Sequence, residues 1–139
     1  NPAHVDPEYA NATRFHGTIA HGMWAGAMIS SLLGTEFPGP GTIYEGQTLR
    51  FHLPVRAGDT LTAEVIVTAR DTERHRLTLD CVVTNQTGAT VVSGEALVRA
   101  PMQKVSRARA ALPQMHLFAL LPGWRASRMS LADGLIPRL

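Results

Sequence analysis

From Met23 to Leu33 the chain carries no charged side chain, and the apolar residues Met23, Trp24, Ala27, Met28, Ile29, Leu32 and Leu33 recur mostly three or four positions apart. That spacing predicts one helix from Ala20 to Leu33, with Gly34 as its C-terminal stop. The positions between the apolar ones, Ala25, Gly26, Ser30 and Ser31, are small rather than charged. A helix without a charged face is expected to be wrapped on most of its sides. The rest of the chain must therefore supply a cover for it.

The residues that follow can supply that cover. Pro38-Gly39-Pro40-Gly41 breaks regular structure, and beyond it the period changes from about 3.6 residues to two. One strand is predicted over 42 to 53, ending at Pro54, and a second through Leu61, Ala63, Val65 and Val67. Charged residues at 70 to 76 mark a turn, Leu77, Leu79, Cys81 and Val83 alternate strictly, and Asn85-Gln86-Thr87-Gly88 is a hairpin signal before Val91 to Val98. An antiparallel sheet needs only one apolar face covered, and a single uncharged helix can cover it. The fold class is α+β, with the helix preceded by a loop.

At 139 residues and 45% hydrophobic content, one globular domain has enough apolar surface for a core. The apolar run from Met23 to Leu33 is shorter than the roughly 20 residues that span a bilayer, so a soluble protein with no membrane partner is expected. No secretory signal pattern opens the sequence. Cys81 is the single cysteine, which excludes an internal disulfide and fits a reducing cytoplasm; its place in an alternating strand marks it as a core residue. Up to Arg99 seven Lys/Arg face ten Asp/Glu, whereas from Ala100 onward six basic residues face Asp133 alone. The basic stretch lacks the interleaved aromatics of a nucleic-acid surface and reads as a solvated linker.

Among six histidines, His4 stands out. It ends Asn1-Pro2-Ala3-His4, and an Asn-Pro pair holds its first residue extended and fixes a turn, so this imidazole is aimed. His21 precedes Gly22 at the helix start. His16, His52, His75 and His116 have no metal-ligand spacing, and a single cysteine allows no thiolate cluster, so no metal is expected.

Asn1-Pro2-Ala3-His4, Phe15, Gly17, Ala20-His21-Gly22-Met23, Gly39-Pro40-Gly41-Thr42-Ile43-Tyr44, Gln47, Leu49, Phe51, Pro54-Val55 and Gly58-Asp59 together resemble the MaoC-like (R)-specific enoyl-CoA hydratases, from Asn1 to about Pro101. Ala100-Pro101-Met102-Gln103-Lys104-Val105 further resembles the linker after the hydratase module of bifunctional hydratase/phosphate acetyltransferases. The resemblance implies a hot-dog fold, an antiparallel sheet wrapped around one central helix, occupying 1–101. Beyond it the sequence departs from the family, and 102–139 is expected to be a basic, partly disordered extension holding one short helix around 114 to 121. The resemblance also implies reversible addition of water to a trans-2-enoyl-CoA, giving an (R)-3-hydroxyacyl-CoA, with the CoA thioester as substrate and no cofactor.

Carried over residue by residue, His4 is the acid/base, Asn1 holds it and its water, and Gly22 offers a backbone N–H to the thioester oxygen. An imidazole exchanges protons near neutral pH, an amide both donates and accepts, and a glycine lets substrate approach the free N–H groups of a helix start. Ser30, two turns along the helix, either lines the site or bonds its own backbone. His21 either faces substrate or fixes the helix entrance. Met23 and Trp24 are substrate-binding candidates, Trp24 and Met28 being pocket, interface or core residues. In the family an Asp two residues before the Asn shares the water with the histidine; that position falls ahead of residue 1. On this reading the chain is expected to be impaired and its sheet to lack a first strand, leaving an edge for a second copy in a homodimer. Asp6 or Glu8 could stand in as the carboxylate.

Two other readings accompany it: an inactive acyl-CoA-binding or dimerisation module, and a thioesterase. Hot-dog thioesterases place a carboxylate or amide on the central helix, and Met23 to Leu33 has none.

Overall fold

The computed structural model describes residues 1–105 and the backbone of two later strands. The chain forms two compact units, Asn1–Arg107 and Ala108–Leu139. The first opens with a single 3-10 turn, Pro2–His4, in which the Asn1 side chain accepts the Ala3 N–H at 3.1 Å. A short helix, α1 (Pro7–Ala12), follows in place of the expected loop. Asp6 caps it by accepting the Tyr9 N–H at 3.0 Å, and Pro7 occupies the first turn, where a missing N–H does no harm. The cap occupies the Asp6 carboxylate offered above as a stand-in partner for His4.

The central helix α2 runs from Met23 to Thr35 rather than from residue 20 to 33. Its start is delayed because the Ile19 and Ala20 N–H groups are claimed by Ala3 O at 3.2 Å and Val55 O at 2.8 Å, which holds this stretch extended. Gly34 does not stop it. The N–H groups of Glu36 and Phe37 both return to Leu32 O at 3.0 Å, and Pro38 ends the run.

Five strands form the main sheet: β1 (Ile43–Gln47), β2 (Arg50–Phe51), β3 (Thr62–Asp71), β4 (Arg76–Thr84) and β5 (Thr90–Arg99). All pairs are antiparallel, in the order β1-β5-β4-β3, with β2 also on β5. The single strand expected over 42 to 53 is thus broken in two at Thr48. There the backbone turns onto β5: Thr48 N–H donates to Glu95 O at 2.9 Å, and Glu95 N–H donates to Thr48 Oγ1 at 3.0 Å. The predicted hairpin stands, with Asn85 Oδ1 accepting the N–H groups of Thr87 and Ala89 and Gly88 at φ 81°.

One stripe of α2, Ala25, Ile29 and Leu33, packs onto Leu79, Cys81 and Val83 of β4 and Val91, Val92, Ala96 and Val98 of β5. Burying each larger aliphatic chain here contributes about 2 kcal/mol. This antiparallel sheet folded over one helix is the hot-dog fold. Cys81 is fully buried, and that burial raises its thiol above the ordinary value. The helix is not wrapped on most sides: Met23, Trp24, Ala27, Ser30 and Ser31 are exposed. The sheet has covered the one stripe its curvature reaches.

At one end of the sheet Arg76 of β4 lies directly opposite Arg99 of β5. Like charges facing each other are destabilising, and Glu45 answers both. It sits at the β1 bulge, with Oε2 at 2.6 Å from Arg76 Nε and Oε1 at 2.6 Å from Arg99. Desolvation alone would raise the Glu45 carboxyl; the two guanidiniums outweigh it and lower the group below its ordinary 4.5. A lowered folded-state value means stability that is present above the ordinary value and lost as pH falls through the folded one. Thermal melts should therefore show the transition temperature falling between about pH 5 and pH 3. Glu45→Gln should lower it at neutral pH and flatten that acid limb. A variant with an unchanged limb would assign the acid sensitivity elsewhere.

In the second unit, β6 (Met115–Phe118) pairs antiparallel with β7 (Arg128–Leu131). The short helix expected around 114 to 121 is therefore a strand at its centre. Four apolar-rich residues are too few to carry a helical period, and a partner strand satisfies their backbone groups.

Candidate active site

The α2 start is built against the segment between β2 and β3. Ala20 N–H donates to Val55 O, Arg56 reaches the Phe15 carbonyl, and the Phe51 ring lies beside Gly22. Between these pieces is a cavity of about 600 Å³, lined by His4, His21, Gly22, Met23 and Trp24 from the N-terminal side and by Phe51, His52 and Val55 from the other. Five of the seven site residues singled out above thus share one space. The other two lie elsewhere: Asn1 caps the opening turn, and Ser30 is exposed on α2 and does not line the cavity.

The opening turn is fixed to residue 19 by two bonds. Ile19 N–H donates to Ala3 O, and His4 Nδ1 lies 3.0 Å from Ile19 O. A carbonyl oxygen only accepts, so Nδ1 carries the proton and the neutral ring keeps its lone pair on Nε2. His21 has the opposite arrangement. Its Nδ1 accepts the Met23 N–H at 3.3 Å, so its own ring proton is on Nε2. The two rings are 5.0 Å apart between centroids and tilted by 43°. Both residues line the cavity, one ring with a lone pair on Nε2 and the other with an N–H there. His21 both fixes the helix entrance and lines the cavity.

The first N–H groups of a helix have no partner within it. Here the Met23, Trp24 and Ala25 N–H groups are taken by His21 Nδ1, His21 O and Gly22 O. Among the described residues no acceptor is found for the Gly22 N–H, which precedes α2 in helical conformation (φ −56°, ψ −31°). A Cβ at residue 22 would stand 2.8 Å from Phe51 Cε1, so only glycine leaves that donor open beside the ring. A negative oxygen in the cavity would meet this N–H and the positive end of the helix dipole.

Sequence reasoning missed the far wall. Phe51 and Val55 entered only as motif positions, and His52, whose Nε2 is 2.7 Å from Ser93 Oγ, only as a poor metal ligand. Arg14 and Arg56 line the cavity too and were counted only as charge. No local pattern marks a residue that reaches a site from a distant segment. Among the described residues no three His, Cys, Asp or Glu side chains gather as a metal site, and no helix is long and apolar enough to cross a membrane.

The family profile described as MaoC like domain matches residues 1–92. The (R)-specific enoyl-CoA hydratase of Aeromonas caviae is 48% identical over 101 residues, covering 73% of this chain and 75% of that protein. That of Rhodospirillum rubrum is also 48% identical, covering 73% and 69%. Among solved structures, the unliganded R-hydratase PhaJ1 of Pseudomonas aeruginosa superposes with a TM-score of 0.78 at 47% identity, covering 85% of this chain and 76% of that one.

Proposed function

The chain belongs to the MaoC-like domain family, and from that premise we propose that it is an (R)-specific 2-enoyl-CoA hydratase, adding water to a trans-2-enoyl-CoA and reversing that addition. One observation carries the proposal: His4, whose Nε2 lone pair is left free, and Gly22, whose N–H has no acceptor among the described residues, line the same cavity. His4 Nε2 takes a proton from water as the water oxygen bonds to C3. The electron pair of the double bond moves toward the thioester oxygen, where the Gly22 N–H and the helix start stabilise it. The imidazolium then delivers its proton to C2, on the face that received the oxygen. No cofactor enters this cycle, and the CoA thioester is the substrate. Asn1 contributes by holding the turn through Ala3. Met23 and Trp24 form the cavity wall against which the acyl chain packs.

A homodimer is supported by the uncharged outer face of α2 and by edge strand β3, where Ile66 and Val67 are exposed. A cytoplasmic setting is supported by the single, buried cysteine.

The assay follows loss of the conjugated thioester absorbance of crotonyl-CoA, with this sequence and with a form carrying Asp and one further residue ahead of Asn1. Turnover by either form is the expected result. Two inert forms would overturn the proposal, and release of free thiol without hydration would turn it into a thioesterase. In the active form, Gly22→Ala should lower kcat about 100-fold. The added methyl forces the Phe51 ring to shift and crowds the N–H, at a cost to the fold of about 1 to 3 kcal/mol. A melt unchanged beside a kcat within threefold of the parent would remove Gly22 from the mechanism.

A further inference from the structure

We propose that Arg14 and Arg56, which meet at Phe15 on the rim of the cavity, bind the phosphate groups of the CoA carrier; the proposal rests on the hydratase reading only in taking CoA as that carrier. Both residues line the cavity and both are exposed to solvent. They are organised around one residue. The Arg14 guanidinium lies 4.9 Å above the Phe15 ring, and Arg56 donates to the Phe15 carbonyl. Arg56 is also held against Gly17, whose added Cβ would stand 3.0 Å from its Nη1. The loop between is wound tightly, with φ 49° at His16 and 146° at Gly17.

Neither arginine forms an ion pair with a carboxylate among the described residues; Arg74, Arg76 and Arg99 do, and of the arginines that do not, Arg14 and Arg56 line the cavity while Arg50 and Arg70 do not. Asp59 feels the charge of Arg56, yet its two oxygens take the Arg56 backbone N–H at 2.8 Å and Gln86 Nε2 at 2.9 Å rather than the guanidinium. That leaves two guanidiniums with most of their N–H donors unused beside a cavity that His4, His21 and Gly22 also line. A guanidinium fork matches phosphate oxygens in pairs, and a prearranged fork loses little freedom on binding them. The substrate presents both kinds of group: a neutral thioester at one end of its pantetheine arm and a diphosphate and 3′-phosphate at the other.

Binding by calorimetry tests this without turnover, using CoA, dephospho-CoA and pantetheine with the parent protein, Arg14→Gln, Arg14→Lys and Arg56→Gln. Arg14 makes only the ring contact, so its variants keep the fold, which a thermal melt verifies. Arg14→Gln should raise the Kd for CoA about tenfold and leave that for pantetheine unchanged, with Arg14→Lys between. Arg56→Gln should weaken CoA at least as much. A loss shared by dephospho-CoA assigns the diphosphate, and a loss confined to CoA the 3′-phosphate. The proposal is overturned if the parent does not bind CoA, if Arg14→Gln binds it unchanged, or if pantetheine weakens in parallel. Failure of the hydratase reading has a separate signature: CoA still binds, and crotonyl-CoA absorbance does not fall.

Discussion

His4→Ala should lower kcat for crotonyl-CoA hydration about 1,000-fold while changing KM by less than about threefold, within the range that loss of a general acid/base produces. The imidazole carries the transferred proton in both halves of the cycle, and no other described ring presents a free lone pair held in the same way. His21 cannot replace it in place, because its Nδ1 is occupied by the Met23 N–H. The substitution leaves the turn standing, since Ile19 N–H still donates to Ala3 O and Ala3 remains 2% exposed. His4→Gln separates position from chemistry. Its amide can still donate to Ile19 O but cannot shuttle a proton, so it should melt like the parent and be as inactive as the alanine variant. Activity within tenfold of the parent in either variant would remove His4 as the acid/base.

Gly94→Ala should cost the fold about 3 kcal/mol or more, out of a total of about 5 to 15 for a domain of this kind. A Cβ at residue 94 would stand 1.8 Å from Thr48 O and 2.7 Å from its carbonyl carbon, so one backbone would have to move off another. The movement breaks the two hydrogen bonds between Thr48 and Glu95 and displaces β2, which carries Phe51 and with it one wall of the cavity. The expected readouts are a transition temperature lower by more than about 10 °C, or recovery only in aggregates, with activity falling in step. A melt within about 2 °C of the parent would show that the strands part there without loss.

The helix face and the strand periods were legible because they are local: Ala25, Ile29 and Leu33 are spaced by four, and Leu79, Cys81 and Val83 by two. The points where those elements start and break were not. The delayed start of α2 depends on Ala3 and Val55 claiming two amides, and the break in the first strand depends on the close approach of Thr48 to Gly94. Both are contacts between residues far apart in sequence. The α1 helix was overlooked although Asp6-Pro7 is a cap signal in plain view. In the site, His4, His21, Gly22 and Ser30 all came from motif resemblance; the first three share the cavity, whereas Ser30, placed also by its spacing along the helix, does not line it. Arg14 and Arg56 required the fold, since nothing in the local sequence states that residues 14, 15 and 56 meet.

The tight contact between residue 22 and the Phe51 ring also bears on how such a protein can drift over generations. A side chain at 22 fits only if the ring shifts, and removal of the ring opens the cavity wall. That contact couples the two positions. A lineage leaving this chemistry would be expected to lose the ring first and the glycine second, and the reverse order passes through a protein whose helix start is blocked.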